Sequence, residues 1–126
     1  MKKIIFTDKA PAPIGPYSQA VAIGNMLYTS GQIALHPETG ELVTGDIETE
    51  TKQVMENMKA VLEAAGTTFE NVIKSTIFIS NMDDFAKING VYGAYFNEKT
   101  APARETVQVA KLPKNVNVEI SMIVAL

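Results

Sequence analysis

From Val116 to Ala125 apolar and polar side chains alternate almost without a break. Val116, Val118, Ile120, Met122 and Val124 fall on one face, and Asn117, Glu119 and Ser121 on the other. A period of two is the signature of a half-buried strand. Thr106–Ala110 is a second run rich in β-branched residues, with Val107 and Val109 on its apolar side. Lys111–Asn115, polar and containing Pro113, predicts the turn between the two runs. Together they predict a C-terminal β-hairpin. Matching its apolar faces sets Thr106 roughly across from Glu119 and Arg104 roughly across from Ser121. Arg104 and Glu119 are then expected on the same side of one sheet, about one side-chain length apart.

Upstream, Lys2–Thr7 predicts a short strand and the proline-rich Asp8–Pro16 an irregular loop. Gln19–Ile23 and Met26–Ser30 predict two further strands around a Gly24-Asn25 turn. Gly31 breaks that run before Gln32-Ile33-Ala34. A glycine inside a strand marks a bulge or a close approach by another backbone or a ligand. His36–Gly45 reads as loop. Ile47, Val54, Met55, Met58, Val61, Leu62 and Ala65 recur at helical spacing and predict a helix over Asp46–Ala65, closed by Gly66. Asp46, Glu48 and Glu50 crowd the end where the helix dipole favours negative charge. Val72–Ser80 is apolar enough for a central strand. A second helix is predicted over about Asp83–Phe96, capped by Asn81 or Asp83, with Phe85, Ile88, Tyr92, Tyr95 and Phe96 on one stripe.

The resulting order, β-β-β-α-β-α-β-β, contains no repeat and no linker. It predicts one α+β domain over residues 1–126, with two helices on one face of a largely antiparallel sheet. The opposite face keeps part of the apolar alternation and needs a cover, most simply another subunit, which would make room for an intersubunit cleft.

Composition narrows the chemistry. A formal net charge of −3 argues against a nucleic-acid platform, which normally shows a basic stripe. The absence of cysteine removes disulfides, thiolate nucleophiles and thiolate metal sites. His36, the one histidine, stands before Pro37 in a turn-like segment and reads as a lone surface imidazole, so no metal site is expected. Two lysines near the N-terminus are followed by no long apolar segment, and no apolar run approaches the ~18 residues of a membrane span. A soluble, cytoplasmic protein is expected.

Two charges stand out. Pro102 limits the approach to Arg104, and an arginine so held is a fork for a carboxylate, whose two oxygens its donors match at once. Glu119 could be that carboxylate, in a cross-strand ion pair with a structural role only. Tyr17 follows Gly15-Pro16, so its ring is either aimed by a constrained loop or simply packed. Gly31 could offer backbone groups to a ligand, and Ser30 could donate to a ligand or satisfy the bulge. Asn89 lies between Phe85 and Tyr92 near the apolar stripe, where a half-buried amide needs partners. Thr106 is a candidate hydroxyl at a cleft wall. Met55 and Met58 read as core packing.

Three motifs come together in order: Gly15-Pro16-Tyr17-Ser18-Gln19-Ala20; Ser30-Gly31-Gln32-Ile33; and Pro102-Ala103-Arg104 with Leu112-Pro113-Lys114 and Val118-Glu119-Ile120. With them, over essentially the whole chain, the sequence resembles the RidA (YjgF/YER057c/UK114) family of reactive intermediate deaminases. The resemblance implies a chorismate-mutase-like α+β fold and a homotrimer with clefts between subunits. It implies hydrolysis of 2-imino acids or their 2-enamino tautomers, released by pyridoxal-phosphate-dependent serine and threonine dehydratases, to 2-oxo acids and ammonia. No cofactor is implied. Carried over by position, Arg104 binds the substrate carboxylate, Glu119 stands near the attacking water, and Tyr17, Ser30, Gly31 and Asn89 line the pocket. The chain departs from common members at Thr106, where many have cysteine, at Ser121, which replaces a second glutamate, and at Ala101, where a bulkier residue is frequent. Two further classes fit such a pocket: a regulatory protein that binds 2-oxo acids without turnover, and an RNA-directed protein. The sequence offers neither a histidine pair nor a basic stripe for the latter.

Overall fold

The computed structural model describes all 126 residues, and its elements follow the predicted order. They are β1 (Lys3–Ile5), β2 (Ala20–Ile23), β3 (Met26–Thr29), α1 (Ile47–Ala64), β4 (Val72–Ile79), α2 (Phe85–Gly93), β5 (Ala103–Gln108) and β6 (Val118–Ala125). The strands form one six-stranded sheet in the order β1-β2-β3-β6-β4-β5.

The alternation at the C-terminus forms β6, but the expected hairpin does not form. β6 enters the middle of the sheet, antiparallel to β3 through Leu27–Val124 and to β4 through Ile77–Ile120. β5 sits beyond β4 and pairs with it in parallel, Arg104 beside Ser75 and Thr106 beside Ile77. The reason lies in the faces. In β6 one face is fully apolar and buried, so burial between two strands is favourable. β5 carries only one strongly apolar residue, Val107, and sits at the edge, where pairing on one side suffices. The α2 crossover between β4 and β5 brings the chain back in the parallel sense.

This pairing reverses the face assignment of β5. Arg104, Thr106 and Gln108 share the side of Ser75, Ile77 and Ile79, which faces the helices. Val107 shares the side of Phe78 and Glu119, which is open. On the helix side, Val118, Ile120, Met122 and Val124 pack with Leu27 and Ile77 against Val54, Met55, Met58, Val61 and Leu62 of α1 and Ile88 of α2. Full burial of such a side chain contributes about 1.5–3 kcal/mol. On the open side, Ile4, Tyr28 and Val107 remain 52%, 46% and 44% exposed.

α1 begins as expected, with the Asp46 carboxylate accepting from the Thr49 N–H at 2.7 Å, and ends at Gly66 in the left-handed conformation (φ 80°). α2 is shorter than predicted. Asn81 caps a separate 3-10 turn, Met82–Asp84, that leads into the helix, and glycines at 90 and 93 weaken its far end. Gln32 makes a single bridge to Ile120 rather than a strand.

Three buried polar side chains tie the loops to this frame. Gln19 accepts from the Thr7 N–H at 2.8 Å and donates to the Thr7 and Pro11 carbonyls at 3.0 and 2.9 Å, anchoring the base of the proline-rich loop. Asn57 of α1 donates to the Ile33 and Leu35 carbonyls at 3.2 and 2.9 Å. Glu50, expected to serve the helix dipole, is buried. Its carboxylate accepts from Asn117 N–H at 2.7 Å, Asn117 Nδ2 at 2.8 Å and Val118 N–H at 3.2 Å.

Glu50→Ala should therefore lower the unfolding free energy by about 3 kcal/mol, the cost of leaving buried donors without an acceptor. Glu50→Gln should retain most of that stability, because the Asn117 amide can turn to meet it and Ser80, which now donates to Asn117 Oδ1 at 2.9 Å, can accept instead. Chemical denaturation of the three proteins at one concentration checks both outcomes.

Candidate active site

The proposed site residues fall into two groups on opposite sides of the sheet. The first is built around Arg104. Its position in β5 aims the guanidinium at α2, where Asn89 Oδ1 accepts from Nη1 at 2.6 Å. The rings of Tyr92 and Phe85 lie 5.1 and 5.7 Å from the guanidinium carbon. Phe85, Asn89 and Tyr92 stand at i, i+4 and i+7, so one helix face supplies both the aromatic support and the amide acceptor. Tyr92 is held in turn by a 2.9 Å hydrogen bond from its hydroxyl to Ser75 Oγ. Burial pushes the Tyr92 phenol up, while Ser75 and Arg104 act against that shift. Arg104 lines a cavity of about 570 Å³ together with Phe96, Ala101 and Pro102, and Asn89 is the one hydrogen-bond partner of its guanidinium within the chain. Ala101, one of the departures from the family pattern, leaves that wall small.

The second group surrounds Glu119 on the open side of β6. Gln32 and Ile120 exchange backbone hydrogen bonds at 2.8 and 3.1 Å, which draws Gly31 against the Glu119 side chain. A Cβ on Gly31 would lie 2.7 Å from Glu119 Cδ and 2.8 Å from Cγ, so a larger residue here would have to push the Glu119 carboxyl aside. The close approach predicted at Gly31 is made by a side chain, Glu119, rather than by another backbone or a ligand. The surrounding cavity, about 500 Å³, is also lined by Tyr17, Ser30 and Lys114. The Ser30 hydroxyl donates to the Ser18 carbonyl and so holds the loop. Tyr17 is half-exposed, and its hydroxyl accepts a long 3.4 Å contact from the Ile14 N–H.

Arg104 and Glu119 are not neighbours. Glu119 pairs with Phe78, and Phe78 with Val107, three residues beyond Arg104. An odd offset places the two charges on opposite faces, and two strand spacings add on the order of 10 Å. The cross-strand ion pair, one of the two readings of Arg104, does not form within the chain. Arg104 is satisfied by Asn89, and the chain's one salt bridge, at 3.1 Å, joins Lys74 to Glu105. Glu119 has no opposite charge to offset its partial burial, and that desolvation holds its carboxyl above the usual range. Thr106 is on the Arg104 side, its hydroxyl enclosed without a hydrogen-bond partner and outside the walls of the Arg104 cavity.

Sequence reasoning missed the support that Phe85 and Tyr92 give Arg104, although their helical spacing with Asn89 carried the signal. Lys114, part of the Leu112-Pro113-Lys114 motif, also lines the Glu119 cavity, a place that its sequence position did not reveal. His36 lines a separate, wide surface hollow with Asp8 and Glu38.

A family model described as endoribonuclease L-PSP matches residues 7–126. A RutC family protein of Pyrococcus horikoshii is 55% identical, over 98% of this chain and 97% of its own. A protein of Dermatophagoides farinae named 2-iminobutanoate/2-iminopropanoate deaminase is 53% identical, over 99% of this chain and 97% of its own. The crystal structure of a Yersinia pestis protein of the conserved Rid family superimposes with a TM-score of 0.97 over 100% of both chains, at 48% identity.

The burial of Glu119 has a measurable sign. A carboxyl with a raised folded pKa binds more protons folded than unfolded between its unfolded value, near 4.5, and the higher folded value. Stability should fall as pH rises through that window. Glu119→Gln should abolish that decrease and match the wild type below pH ~4. Denaturation midpoints across the pH series test this, and identical slopes in the two proteins would contradict it.

Proposed function

The chain belongs to the endoribonuclease L-PSP family, and from that membership and its two half-sites we propose that it hydrolyses reactive 2-imino acids, or their 2-enamino tautomers, to 2-oxo acids and ammonia. The observation that carries this reading is the pairing of a guanidinium held with free donors at one cavity and an unpartnered, partly desolvated carboxyl at the other. A 2-imino acid needs little more. Its carboxylate is gripped by the Arg104 fork, and its protonated C=N carbon is already electrophilic.

Glu119 orients a water and takes its proton as the oxygen bonds to C2, giving a carbinolamine. The same carboxyl returns the proton to nitrogen. The C–N bond then breaks, the Glu119 carboxylate takes the hydroxyl proton as the C=O bond forms, and that proton passes to the departing ammonia, which leaves as ammonium. Water is consumed and nothing is oxidised or reduced. A carboxyl raised toward neutrality by burial suits this exchange better than an exposed one.

Because the half-sites face opposite sides of one sheet, they act together across a subunit boundary, Arg104 of one copy closing over Glu119 of the next. A cyclic homotrimer repeats that contact three times and covers the exposed Ile4, Tyr28 and Val107. The deaminase name of the Dermatophagoides relative supports the substrate class.

An assay supplying 2-iminobutanoate from a threonine dehydratase and following 2-oxobutyrate release tests the activity, which is refuted if release does not quicken. Arg104→Ala should lower catalytic efficiency at least ~100-fold, with Arg104→Lys in between because lysine keeps charge but loses the fork. Arg104→Ala and Glu119→Gln, each inactive alone, should regain about a quarter of the wild-type activity when unfolded together in equal amounts and refolded, since intact half-sites then meet in random trimers. No recovery would place both residues in a site within one chain or in none.

A further inference from the structure

Lys114 is the one charged group of the Glu119 half-site that the proposed hydrolysis leaves unused. With Asn115 it forms the only pair of non-glycine residues at positive φ, 55° and 56°. L-residues avoid this conformation because Cβ crowds the following carbonyl oxygen. Here the surrounding contacts impose it. Asn115 N–H donates to the Leu112 carbonyl at 3.0 Å and Val116 N–H to the Pro113 carbonyl at 3.2 Å, while Glu50 fixes Asn117 and Val118 just beyond. The result sets Lys114 on the rim shared by the Glu119 cavity and a smaller one of about 200 Å³ beside Glu50.

No carboxylate of the chain pairs with Lys114, whose ammonium is therefore unspent. An anionic ligand entering this cavity meets two repulsions. One is the Glu119 carboxylate itself, and the other is the formal net charge of −3 on every chain. A free ammonium at the rim offsets both.

We propose that Lys114 is an electrostatic capture residue, which draws the carboxylate of a small 2-imino or 2-oxo acid into the Glu119 cavity before Arg104 takes hold of it. The inference rests on the substrate class proposed above. It gives Lys114 a role in affinity and on-rate, with no part in the chemical step.

The test measures binding of 2-oxobutyrate and of its neutral amide, 2-oxobutyramide, by calorimetry at about 20 mM and about 500 mM salt, where screening lengths differ severalfold. Lys114→Asn removes the charge while keeping a residue that tolerates the left-handed backbone. Lys114→Arg keeps the charge. Lys114→Asn should weaken 2-oxobutyrate about 3- to 5-fold at low salt and less than 2-fold at high salt, the size expected of one charge acting over several ångströms of mostly aqueous medium. Amide binding should not change, and Lys114→Arg should behave as wild type. With 2-iminobutanoate, kcat/KM should fall by the same factor at unchanged kcat. Equal weakening of acid and amide, a loss indifferent to salt, or no loss at all overturns the proposal. A salt-sensitive, acid-selective loss in Lys114→Asn, found in a protein that hydrolyses no imine, would uphold the role of Lys114 and defeat the deaminase reading alone.

Discussion

The placement of the last strand in the middle of the sheet is the constraint on which the rest depends. β6 is paired on both sides, and its Val118, Ile120, Met122 and Val124 form the floor on which α1 packs. Side chains from distant parts of the chain also end on it: Thr29 Oγ1 accepts from Met122 N–H at 2.9 Å, and Thr67 Oγ1 donates to the Ala125 carbonyl at 3.0 Å. The sheet cannot close until residues 118–125 arrive, so the fold is dominated by contacts between distant parts of the sequence. Such topologies fold more slowly than helical ones of the same size.

The same strand sorts the charges. Its inner face is wholly apolar, so the polar alternation goes to the open face and takes Glu119 with it. There Gly31 lies against the carboxyl, which a side chain at position 31 would displace. Burial without a counter-charge disfavours the ionised form. That cost is placed at a cavity, beside Tyr17 and Lys114, rather than in the core. Arg104 has the opposite treatment. Asn89 and two aromatic rings hold it, and none of these neutralises it. Each charge is thus positioned but left without an ionic partner within the chain.

Positioning comes from amides and carboxylates in the interior. Gln19 secures the loop that carries Tyr17, Asn57 the segment after Gly31, and Glu50 the approach to Glu119. A buried side chain with several well-aligned bonds to loop backbone fixes that loop more firmly than surface contacts do, because breaking one leaves a donor or acceptor in a low-dielectric place. Two of the three come from the same face of α1, so one helix sets the second half-site.

Residue pattern alone determined the element order, the helix predicted over 46–65 with its Asp46 and Gly66 ends and the core face of β6, and it marked Gly31 as a point of close approach. Each of these is written in local periodicity or in a residue whose backbone or size is special. The family likeness pointed to Arg104, Glu119, Tyr17, Ser30, Gly31 and Asn89 as candidate site residues, and the structure gathers them into two groups. Which strand lies beside which was not legible. The run that forms β5 offered Val107, with Val109 just past its end, on one side of a short, polar stretch, and that weak alternation fitted a hairpin with β6 as well as it fits a parallel edge beside β4. Sequence neighbours separated by a turn usually pair, but the buried face of β6 finds two apolar neighbours only between β3 and β4. Only tertiary structure decided this, because strand pairing depends on how much apolar surface each arrangement buries over the whole sheet. With that choice Arg104 turned to the helices and Glu119 to the open face.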